Sequence, residues 1–356
     1  MPRIAADDLT ALATRLLCAA GMDSELAGVT AEVLVEGDMI GHETHGVALL
    51  PWYLAEISAG ALATSGRPEV VADRGAAFVW DGKHLPGAWL LRAALDQAAD
   101  RAEVHGVVTA AIRNCHHTCA LSAFLRPMTE RGLIVQLSVS NPAAERVAPF
   151  GGTRALLTPN PLAAGFPTVG DPILIDVSAS VTTTTMTQTL AREGGRFPEP
   201  WVLTAEGRPS DDPREVTERG GTIMPLGGAL KGHKGFGLAL IVDLLGQGLS
   251  GKGRANTAAP GPLAQSAFLQ VIDPDFFAGR AAFAEQATHL AEACRSNPPI
   301  DPSRPVRMPG DSACARRRDA LANGVPVDAA VWTKLQALLA STAGKAQGAP
   351  AGKDET

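Results

Sequence analysis

The first sixty residues of the chain show apolar positions at helical spacing. Residues 6–20 carry leucines every three or four positions, which predicts an amphipathic helix. A second apolar stripe with the same spacing begins after Asp23, and a third covers residues 49–57 and ends at Gly60. The N-terminal part of the chain is therefore predicted to be a small helical unit.

Beyond this unit, short apolar runs alternate with longer helical patterns. Residues 70–72 and 76–80 predict two strands joined by a turn. Further strands are predicted at 107–112, 134–139, 172–177 and 268–272. Further helices are predicted at 89–103, at 120–131 with a bend at Pro127, at 238–249 and over most of the chain from residue 280.

Polar clusters follow two of the predicted strands. Asn114–Cys119 contains two histidines and two cysteines and follows the strand at 107–112. Ser140 and Asn141 follow the strand at 134–139. Because functional side chains are commonly carried on connections held by a rigid scaffold, both strand ends are candidate site positions.

Composition is that of an ordinary globular protein. Of the 356 residues, 46% are hydrophobic and 19% are charged, which is enough for a sizeable core. The formal net charge is -6 and the chain has no basic stripe, which argues against a nucleic-acid partner. The longest apolar run is interrupted by Asp243 and is too short to cross a membrane. The N-terminus has no apolar signal core, and the five cysteines indicate reduced thiols, so we expect a cytoplasmic protein.

The segment Gly41–Gly46 places two imidazoles, a hydroxyl and a carboxylate in consecutive positions. Histidine has the unperturbed pKa nearest neutrality, which makes it the usual proton donor or acceptor. The i,i+3 spacing of His42 and His45 also suits two metal ligands, and a structural histidine at a helix end is a third interpretation. Proton transfer by His45 is the interpretation that we favour.

The second imidazole cluster is Cys115–Cys119. Structural zinc sites pair two such cysteines with a second pair, but only Cys294 and Cys314 follow, twenty residues apart. The cysteines also suit small apolar core positions, and one imidazole acting at the strand end is the favoured interpretation. No sequence-close set completes a four-ligand site, so no metal site is predicted.

Residues 227–237 are rich in glycine and precede a predicted helix. Backbone N–H groups at such a helix start form an anion cradle, to which Lys234 would add a charge, and a flexible hinge is the alternative. No Gly-x-Gly-x-x-Gly follows a strand, so a dinucleotide would not be bound through the Rossmann fingerprint.

Two carboxylates lie within apolar segments. Asp176 follows an apolar strand and suits either a cap on the next element or a hydrogen bond to a ribose hydroxyl. Asp243 interrupts an apolar helix, and for this residue a buried, paired carboxylate is favoured.

In their order and spacing, these segments resemble the malate/L-lactate dehydrogenase family that lacks a Rossmann domain. The resemblance covers roughly residues 5–340. The segments that carry it are Gly41–Gly46 with Tyr53, Asn114–His117, Ser140–Asn141, Ala148–Gly152, Asn160–Leu162, Asp176–Ser178, Lys234–Leu238 and Arg307–Asp311.

The resemblance implies an oxidoreductase that uses NAD or NADP. It would transfer hydride between the nicotinamide and a 2-hydroxy or 2-oxo acid, or a related imino acid. The implied fold is α/β, with a largely antiparallel sheet flanked by helices for the cofactor and a helical unit from the chain ends. We expect residues 1–65 with 275–340 to form the helical, dimerisation unit and residues 66–274 to form the cofactor-binding and catalytic domain. Residues 341–356 are expected to be a disordered tail, and the chain is expected to form a homodimer.

The resemblance also assigns roles by position. His45 and His117, with Thr44 beside the first, are the expected catalytic residues, since an imidazolium can protonate an oxygen that gains charge. The expected cofactor contacts are Ser140, Asp176, Val177, Ser178, Lys234, Pro309, Gly310 and Asp311. The expected substrate residues are Leu49, Tyr53, Asn141 and Asn160.

One of these positions departs from the family pattern. Relatives usually have an arginine that binds the substrate carboxylate where this chain has Leu49. An apolar side chain cannot replace a bidentate guanidinium. We therefore expect that the substrate either lacks a carboxylate at that point or is bound by another cation, with Arg113 and Lys234 as candidates.

Two other functions stay open at this point. The histidine and cysteine clusters, with His42, His45, His116 and Cys115 as ligands, would suit a metal-dependent hydrolase or lyase. A non-catalytic relative is the other alternative, and the presence of both expected catalytic histidines argues against it.

Overall fold

Two compact units make up the part of the chain that the structure, a computed structural model, describes: residues 1–256 and 263–347. The first unit contains Met1–Gly66 and the chain from Ser312 onward, and the second contains Arg67–Asp311. This division places residues 275–311 with the second unit, whereas the sequence-based expectation places them with the chain ends. The N-terminal segment and the described residues from Ser312 to Gln347 therefore belong to the same unit.

The helices of the described residues are α1 Ala6–Ala19, α2 Ser24–Ile40, α3 Leu50–Ser58, α4 Gly87–His105, α5 Leu125–Glu130, α6 Thr184–Arg192, α7 Arg214–Glu218, α8 Gly228–Asp243, α9 Arg280–Arg295, α10 Asp311–Asn323 and α11 Ala329–Gln347. The strands are β1 Arg3–Ile4, β2 Glu69–Asp73, β3 Ala77–Asp81, β4 Val107–Cys115, β5 Ile134–Ser140, β6 Pro161–Phe166, β7 Ile173–Ser178, β8 Val202–Leu203, β9 Pro209–Ser210, β10 Thr222–Ile223, β11 Gln265–Ile272 and β12 Val325–Pro326.

The first unit is helical. Helix α1 packs against α2, α3 and α11, and the short strands β1 and β12 pair antiparallel. The predicted leucine stripe of α1 is its buried face, with Leu9 and Leu16 fully buried. Gly41 ends α2 with a φ of 89°, the left-handed conformation that glycine adopts without strain.

A seven-stranded sheet forms the centre of the second unit. Its strand order is β2-β3-β4-β11-β5-β6-β7, and every neighbouring pair is antiparallel except β3 and β4. Strand β11 lies between β4 and β5 although it comes more than a hundred residues later in the chain. The predicted fold class, a largely antiparallel sheet flanked by helices, is confirmed.

Apolar side chains between this sheet and its helices form the core of the second unit. Helix α4 packs against β4 and β11, and α5 packs against β5 and β6. Leu91 and Leu95 of α4 are buried, as are Ile112 of β4 and Leu269 of β11. Burial of each such side chain contributes about 1.5–3 kcal/mol to the free energy of folding. This core holds the helices against the sheet.

A second, smaller sheet joins β10, β8 and β9. It shares a core with the connection that follows β5, and this core contains Val147, Leu157, Phe197, Val202 and Ile223. Val147 forms isolated bridges with Leu157 and with Ile223. The long connection between β5 and β6 is therefore fixed at its base.

Most of the predicted elements are present. The hairpin of β2 and β3, helix α4 and strands β5 and β7 lie within a few residues of their predicted bounds. Strand β4 continues to Cys115, so the second histidine cluster begins inside the strand.

The glycine-rich segment differs from its prediction. Residues 228–237 are part of α8, so the predicted loop with a backbone anion cradle around Lys234 is wrong. A Cβ on Gly235 would lie 2.3 Å from the backbone nitrogen of Leu226, and one on Gly232 would lie 2.9 Å from the ring of Phe150. The glycines let a helix pack closely against neighbouring groups, and a π-helical turn over Leu244–Gly248 extends it.

Two smaller predictions are also corrected. Residues 120–131 do not form one bent helix, because a 3-10 helix at Leu121–Phe124 precedes α5 and Pro127 falls in the first turn of α5, where proline is tolerated. Helix α11 continues to Gln347, so residues 341–347 of the predicted disordered tail are helical. Residues 348–356 lie outside the described residues. None of the described helices combines the length and the apolarity that crossing a lipid bilayer requires.

Candidate active site

Several strands of the large sheet end on one side, and that side collects predicted site residues. The register places the ends of β4 and β5 beside the start of β11, and it pairs the start of β6 with the end of β7. His117, Ser140, Asn160 and Ser178 each lie at one of these strand ends or in the adjoining turn. Antiparallel pairing thus brings together residues that are far apart in sequence.

The second histidine cluster forms a strained turn after β4. Asn114 and Cys119 flank it with φ angles of 54° and 61°, a left-handed conformation that is uncommon outside glycine. A Cβ on Gly87 would lie 2.3 Å from the carbonyl oxygen of His116, so only glycine lets the start of α4 pack against this turn. Such strain is typical of backbone that holds a functional side chain.

The two histidines of this turn differ in their surroundings. His116 is fully buried, whereas His117 is half-buried. Nδ1 of His117 accepts a hydrogen bond from the backbone N–H of Cys119 at 3.3 Å. The neutral ring therefore carries its hydrogen on Nε2. His117 is the histidine of this pair with both a defined donor atom and access to solvent.

Asp81, at the end of β3, anchors the turn and was not found from the sequence pattern. Its Oδ2 accepts hydrogen bonds from Nδ2 of Asn114 at 2.8 Å and from Nε of Arg113 at 3.0 Å. Arg113 also donates from Nη1 to the carbonyl oxygen of Ser250. Arg113, one of the two cations considered for the substrate, is thus committed to a structural ion pair with Asp81.

Two further contacts tie the turn to the sheet. The N–H and hydroxyl of Thr118 both donate to Oε1 of Gln265 at 3.1 Å, which joins the turn to β11. The N–H of Ser122 donates to Oδ2 of Asp176 at 2.9 Å, which joins the following 3-10 helix to β7. The cap that the sequence suggested for Asp176 was on the next element, whereas this contact is to a 3-10 helix earlier in the chain. The side chain of Thr183 caps the helix that follows Asp176.

Asp243 lies at the centre of a buried polar network, as the sequence predicted. Its Oδ1 accepts hydrogen bonds from Oγ of Ser140 at 2.5 Å and from Nδ2 of Asn160 at 2.9 Å. Its Oδ2 accepts one from Nε of Arg254 at 2.9 Å. Every partner of this carboxylate is itself buried or partly buried, so the network fixes the ends of β5 and α8 relative to each other.

Ser140 and Asn160 are fully engaged in this network. Both are buried, and Asn160 also donates to the carbonyl oxygen of Ala239 and accepts from Oγ1 of Thr158. Their side chains hold the backbone at the sheet end. Asn141, the next residue along the chain from Ser140, is only half-buried, and its Oδ1 accepts from the N–H of Ala143.

Backbone hydrogen bonds through Leu226 connect the residue after Lys234 to the residue after β7. The N–H of Gly235 donates to the carbonyl oxygen of Leu226, and the N–H of Leu226 donates to that of Ala179. Lys234 is exposed, and no hydrogen bond or ion pair joins its ammonium to another described residue. Val177 is 43% exposed on this edge strand and Ser178 is half-buried. An apolar edge side chain, a hydroxyl and an available cation fit the base, ribose and phosphate groups of a dinucleotide.

The late segment Pro309–Asp311 lies at the opposite end of β7. The N–H of Leu174 donates to the carbonyl oxygen of Pro309 at 3.1 Å, and a Cβ on Gly310 would lie 2.9 Å from the same nitrogen. Asp311 pairs with Arg295 at 2.6 Å, and this guanidinium holds the pKa of the carboxyl below its usual value. The segment therefore frames one end of the edge strand on which the cofactor contacts are predicted.

In the first unit, the segment after α2 forms a short 3-10 helix at Glu43–His45. Oγ1 of Thr44 lies 3.0 Å from Nδ1 of His45, so the hydroxyl orients the ring. Thr44 is exposed and His45 is half-buried. Here too, the ring has one nitrogen engaged by a neighbouring group.

Asp38, in the last turn of α2, supports this segment and was also missed. Its Oδ2 accepts a hydrogen bond from the N–H of Val47 at 2.8 Å. A Cβ on Gly46 would lie 1.9 Å from Oδ1 of Asp38, so the carboxylate packs directly against the glycine that follows His45. Burial, with the nearby Glu43 carboxylate adding to it, raises the pKa of Asp38 to about 7.

The two predicted substrate residues of the first unit occupy different environments. Leu49 is half-buried immediately before α3, and Tyr53 in α3 is fully buried. The ring of Tyr53 meets that of Trp52 edge-on at 5.2 Å. Leu49 remains the more accessible of the two positions.

The described residues contain no cluster of three or more histidine, cysteine, aspartate or glutamate side chains arranged to hold a metal ion. The first cluster belongs to the first unit, and the second cluster belongs to the second unit. Cys115 is fully buried, and this burial raises the pKa of its thiol well above the usual value.

Comparison with known proteins identifies the class of protein as an oxidoreductase. Residues 4–336 match the family described as malate/L-lactate dehydrogenase, and the chain belongs to this family. It is a dehydrogenase or reductase of hydroxy acids or imino acids.

Individual relatives agree with this assignment. The chain is 32% identical over 343 residues to a Delta(1)-pyrroline-2-carboxylate/Delta(1)-piperideine-2-carboxylate reductase from Pseudomonas syringae pv. tomato, covering 92% of this chain and 93% of the relative. It is 33% identical over 241 residues to a (2R)-3-sulfolactate dehydrogenase (NADP(+)) from Chromohalobacter salexigens, covering 67% and 70%. The crystal structure of a dehydrogenase from Sinorhizobium meliloti matches with a TM-score of 0.82 and 30% identity, over 95% of this chain and 98% of that one.

Proposed function

We propose that this protein is an NAD(P)-dependent oxidoreductase that moves hydride between a nicotinamide and a 2-hydroxy or 2-oxo acid, or a related cyclic imino acid. The observation that carries the proposal is the placement of His117. A histidine with a fixed tautomer lies at the sheet end, and Ser122 and Asp176 join its turn to the edge strand with the predicted cofactor contacts.

The chemistry of His117 follows from its hydrogen bonds. Because Nδ1 accepts from the N–H of Cys119, Nε2 is the atom that donates to a substrate oxygen or nitrogen. When a carbonyl is reduced, negative charge develops on its oxygen, and a positioned donor stabilises that charge. In the oxidative direction the same nitrogen accepts the proton.

His45 is the second proposed catalytic histidine. Thr44 engages its Nδ1, and Asp38 fixes the backbone on the far side through Val47 and Gly46. These contacts hold the ring and its backbone in a defined position, which a proton donor or acceptor requires. The proposed role of His45 rests on these contacts within the first unit.

The cofactor supplies the hydride when bound. Val177 and Ser178 would contact it along the edge of the sheet, and Lys234 would bind one of its phosphates by charge. The other proposed cofactor contacts are Asp176 on β7 and Pro309–Asp311 at the opposite end of that strand. The name of one relative specifies NADP(+), and both NAD and NADP are proposed for this chain.

The direct test is a cofactor-oxidation assay. NADH and NADPH absorbance is followed with a panel of 2-oxo acids and cyclic imines, and oxidation with at least one compound is expected. If neither cofactor is oxidised with any compound and neither quenches tryptophan fluorescence, the proposal is wrong. The same assay distinguishes it from a non-catalytic relative, and metal analysis distinguishes it from a metal-dependent hydrolase or lyase.

The role of His117 is tested by substitution. His117→Asn should lower kcat by about 100- to 10000-fold, the usual contribution of a positioned general acid or base, while cofactor binding is kept. His289→Asn changes an exposed histidine on α9 and should leave the rate unaltered. A His117→Asn enzyme with kcat within a few-fold of wild type would contradict the assignment.

A further inference from the structure

A cleft of about 1000 Å³ opens in the second unit beside the end of β5. Its walls come from the connection between β5 and β6 and from the residues that lead into β10. The polar and charged side chains of its lining include those of Asn141, Glu145, Arg146, Thr153 and Arg154. The cleft is large enough for a small organic acid with part of a second molecule.

Two arginines line this cleft, and Arg154 is the one whose guanidinium makes no hydrogen bond to another described residue. It is exposed, and no ion pair or hydrogen bond joins its guanidinium to any other described residue. The neighbouring Arg146 already donates from Nη1 to the carbonyl oxygen of Glu145 at 2.7 Å. The two arginines against one glutamate also make the lining cationic.

The backbone that carries Arg154 is fixed at both ends and in the middle. Val147 and Leu157 bridge the base of the loop, and Val147 also bridges to Ile223. Within the loop, a Cβ on Gly207 would lie 2.6 Å from Cγ2 of Thr153, so Thr153 packs against the β8–β9 turn. Arg154 is thus held next to a residue that contacts another element.

The position of the cleft indicates which molecule Arg154 would meet. Asn141, one of the predicted substrate residues, lines the cleft. None of the eight predicted cofactor contacts, all of which lie among the described residues, lines it. An acid substrate carries at least one carboxylate, and Arg113 is already paired with Asp81.

We propose that Arg154 binds an acid group of the substrate in this cleft. The inference rests on the proposed function and names the specificity-determining residue for it. A guanidinium binds a carboxylate or a sulfonate through paired N–H donors, which gives both charge neutralisation and orientation. It also offers a cation for the substrate in a chain whose predicted substrate residues include the apolar Leu49.

Substitution of Arg154 tests the proposal. Arg154→Leu should raise KM for the acid substrate about 10- to 100-fold, the loss expected for a charge-assisted hydrogen bond, with kcat and the KM for NADH or NADPH within a few-fold. Arg154→Lys keeps the charge and should recover part of the loss. Arg192→Leu removes an exposed arginine of α6 outside the cleft and should change none of these constants.

A binding measurement separates this inference from the proposed function. Malonate, an unreactive dicarboxylate, should bind to the wild-type protein in calorimetry and bind at least tenfold more weakly to Arg154→Leu. If Arg154→Leu alters neither malonate binding nor substrate KM more than Arg192→Leu does, the inference is wrong. A rise confined to the KM of the cofactor also overturns it, since that would place a cofactor phosphate in the cleft. A wild-type protein that oxidises no cofactor refutes the proposed function, while the malonate comparison still tests Arg154.

Discussion

Two buried carboxylates hold the segments that carry the proposed catalytic histidines. Asp38 accepts a hydrogen bond from Val47, directly after His45 and Gly46, and Asp81 accepts one from Asn114, directly before the second histidine turn. Each carboxylate bonds to the main chain or to an amide beside a histidine. At the scale of single residues, buried carboxylates hold the backbone that carries the proposed catalytic histidines.

The raised pKa of Asp38 implies that the free energy of unfolding depends on pH. Its pKa is raised by burial from 3.8 to about 7, so between these values the folded protein keeps a proton that the unfolded chain has lost. The contribution of Asp38 is therefore fully present below about pH 4 and is lost as the pH rises to about 7. The asparagine of Asp38→Asn does not titrate, so we expect this variant not to lose stability over the same pH range.

The measurement is urea unfolding of both proteins at pH 5 and pH 8. The free energy of unfolding of Asp38→Asn, relative to wild type, should be higher at pH 8 than at pH 5 by about 2.5 kcal/mol, since about two pH units of titration lie between pH 5 and pH 7 and each corresponds to ~1.4 kcal/mol. Asp8→Asn, an exposed change on α1, controls for the loss of one surface charge. An equal difference at both pH values would mean that Asp38 does not bind a proton in this range.

At the scale of elements, the glycines of α8 divide into those that contact other groups and those that do not. A Cβ on Gly235 would lie 2.3 Å from backbone of Leu226, whereas one on Gly237 would meet nothing within 4 Å. Gly237→Ala should stabilise the protein by about 0.5–1 kcal/mol, because alanine loses less backbone entropy in a helix. Gly235→Ala should destabilise it, because the helix must move away from Leu226.

Thermal unfolding of the two variants checks this prediction. The transition temperature should rise for Gly237→Ala and fall for Gly235→Ala. Two shifts of the same sign would show that helix propensity, not the close approach to Leu226, decides the effect at Gly235. The pair is matched because both glycines lie inside the same helix, two residues apart.

Local patterns predicted the elements that depend on local information. The leucine stripe predicted α1, and the turn between two short apolar runs predicted the hairpin of β2 and β3. Glycine content alone misled the prediction for α8, because the reason for those glycines is contact with Leu226 and Phe150. Close packing between distant segments leaves no periodic trace in the sequence.

The candidate site was predictable to a similar degree. His117, Ser140 and Ser178 were correctly placed at strand ends, and the antiparallel register that gathers those ends required the structure. Asp81 was missed because Asn114, its partner, lies 33 residues away. Arg154 was missed because an arginine in a loop carries no signal until the cleft beside it is seen.

At the scale of the whole molecule, the predicted homodimer remains to be measured. Light scattering with size exclusion should give about twice the 36.8 kDa of one chain. Ile241 and Leu244 are 55% and 66% exposed on α8 and its extension, and contiguous exposed apolar area is typical of protein interfaces. Leu244→Lys should therefore shift the mass toward that of one chain. A wild-type mass of 36.8 kDa at micromolar concentration would contradict the prediction.

The bridge between Val147 and Leu157 has a consequence for how this enzyme can change. It closes the loop that carries Arg154 at its base. Within the loop, Phe150 packs against Gly232 of α8 and Thr153 packs against Gly207, whereas Arg154 makes no hydrogen bond or ion pair with another described residue. The residue at position 154 can therefore change in evolution while the loop, the buried network around Asp243 and the edge strand β7 keep their contacts.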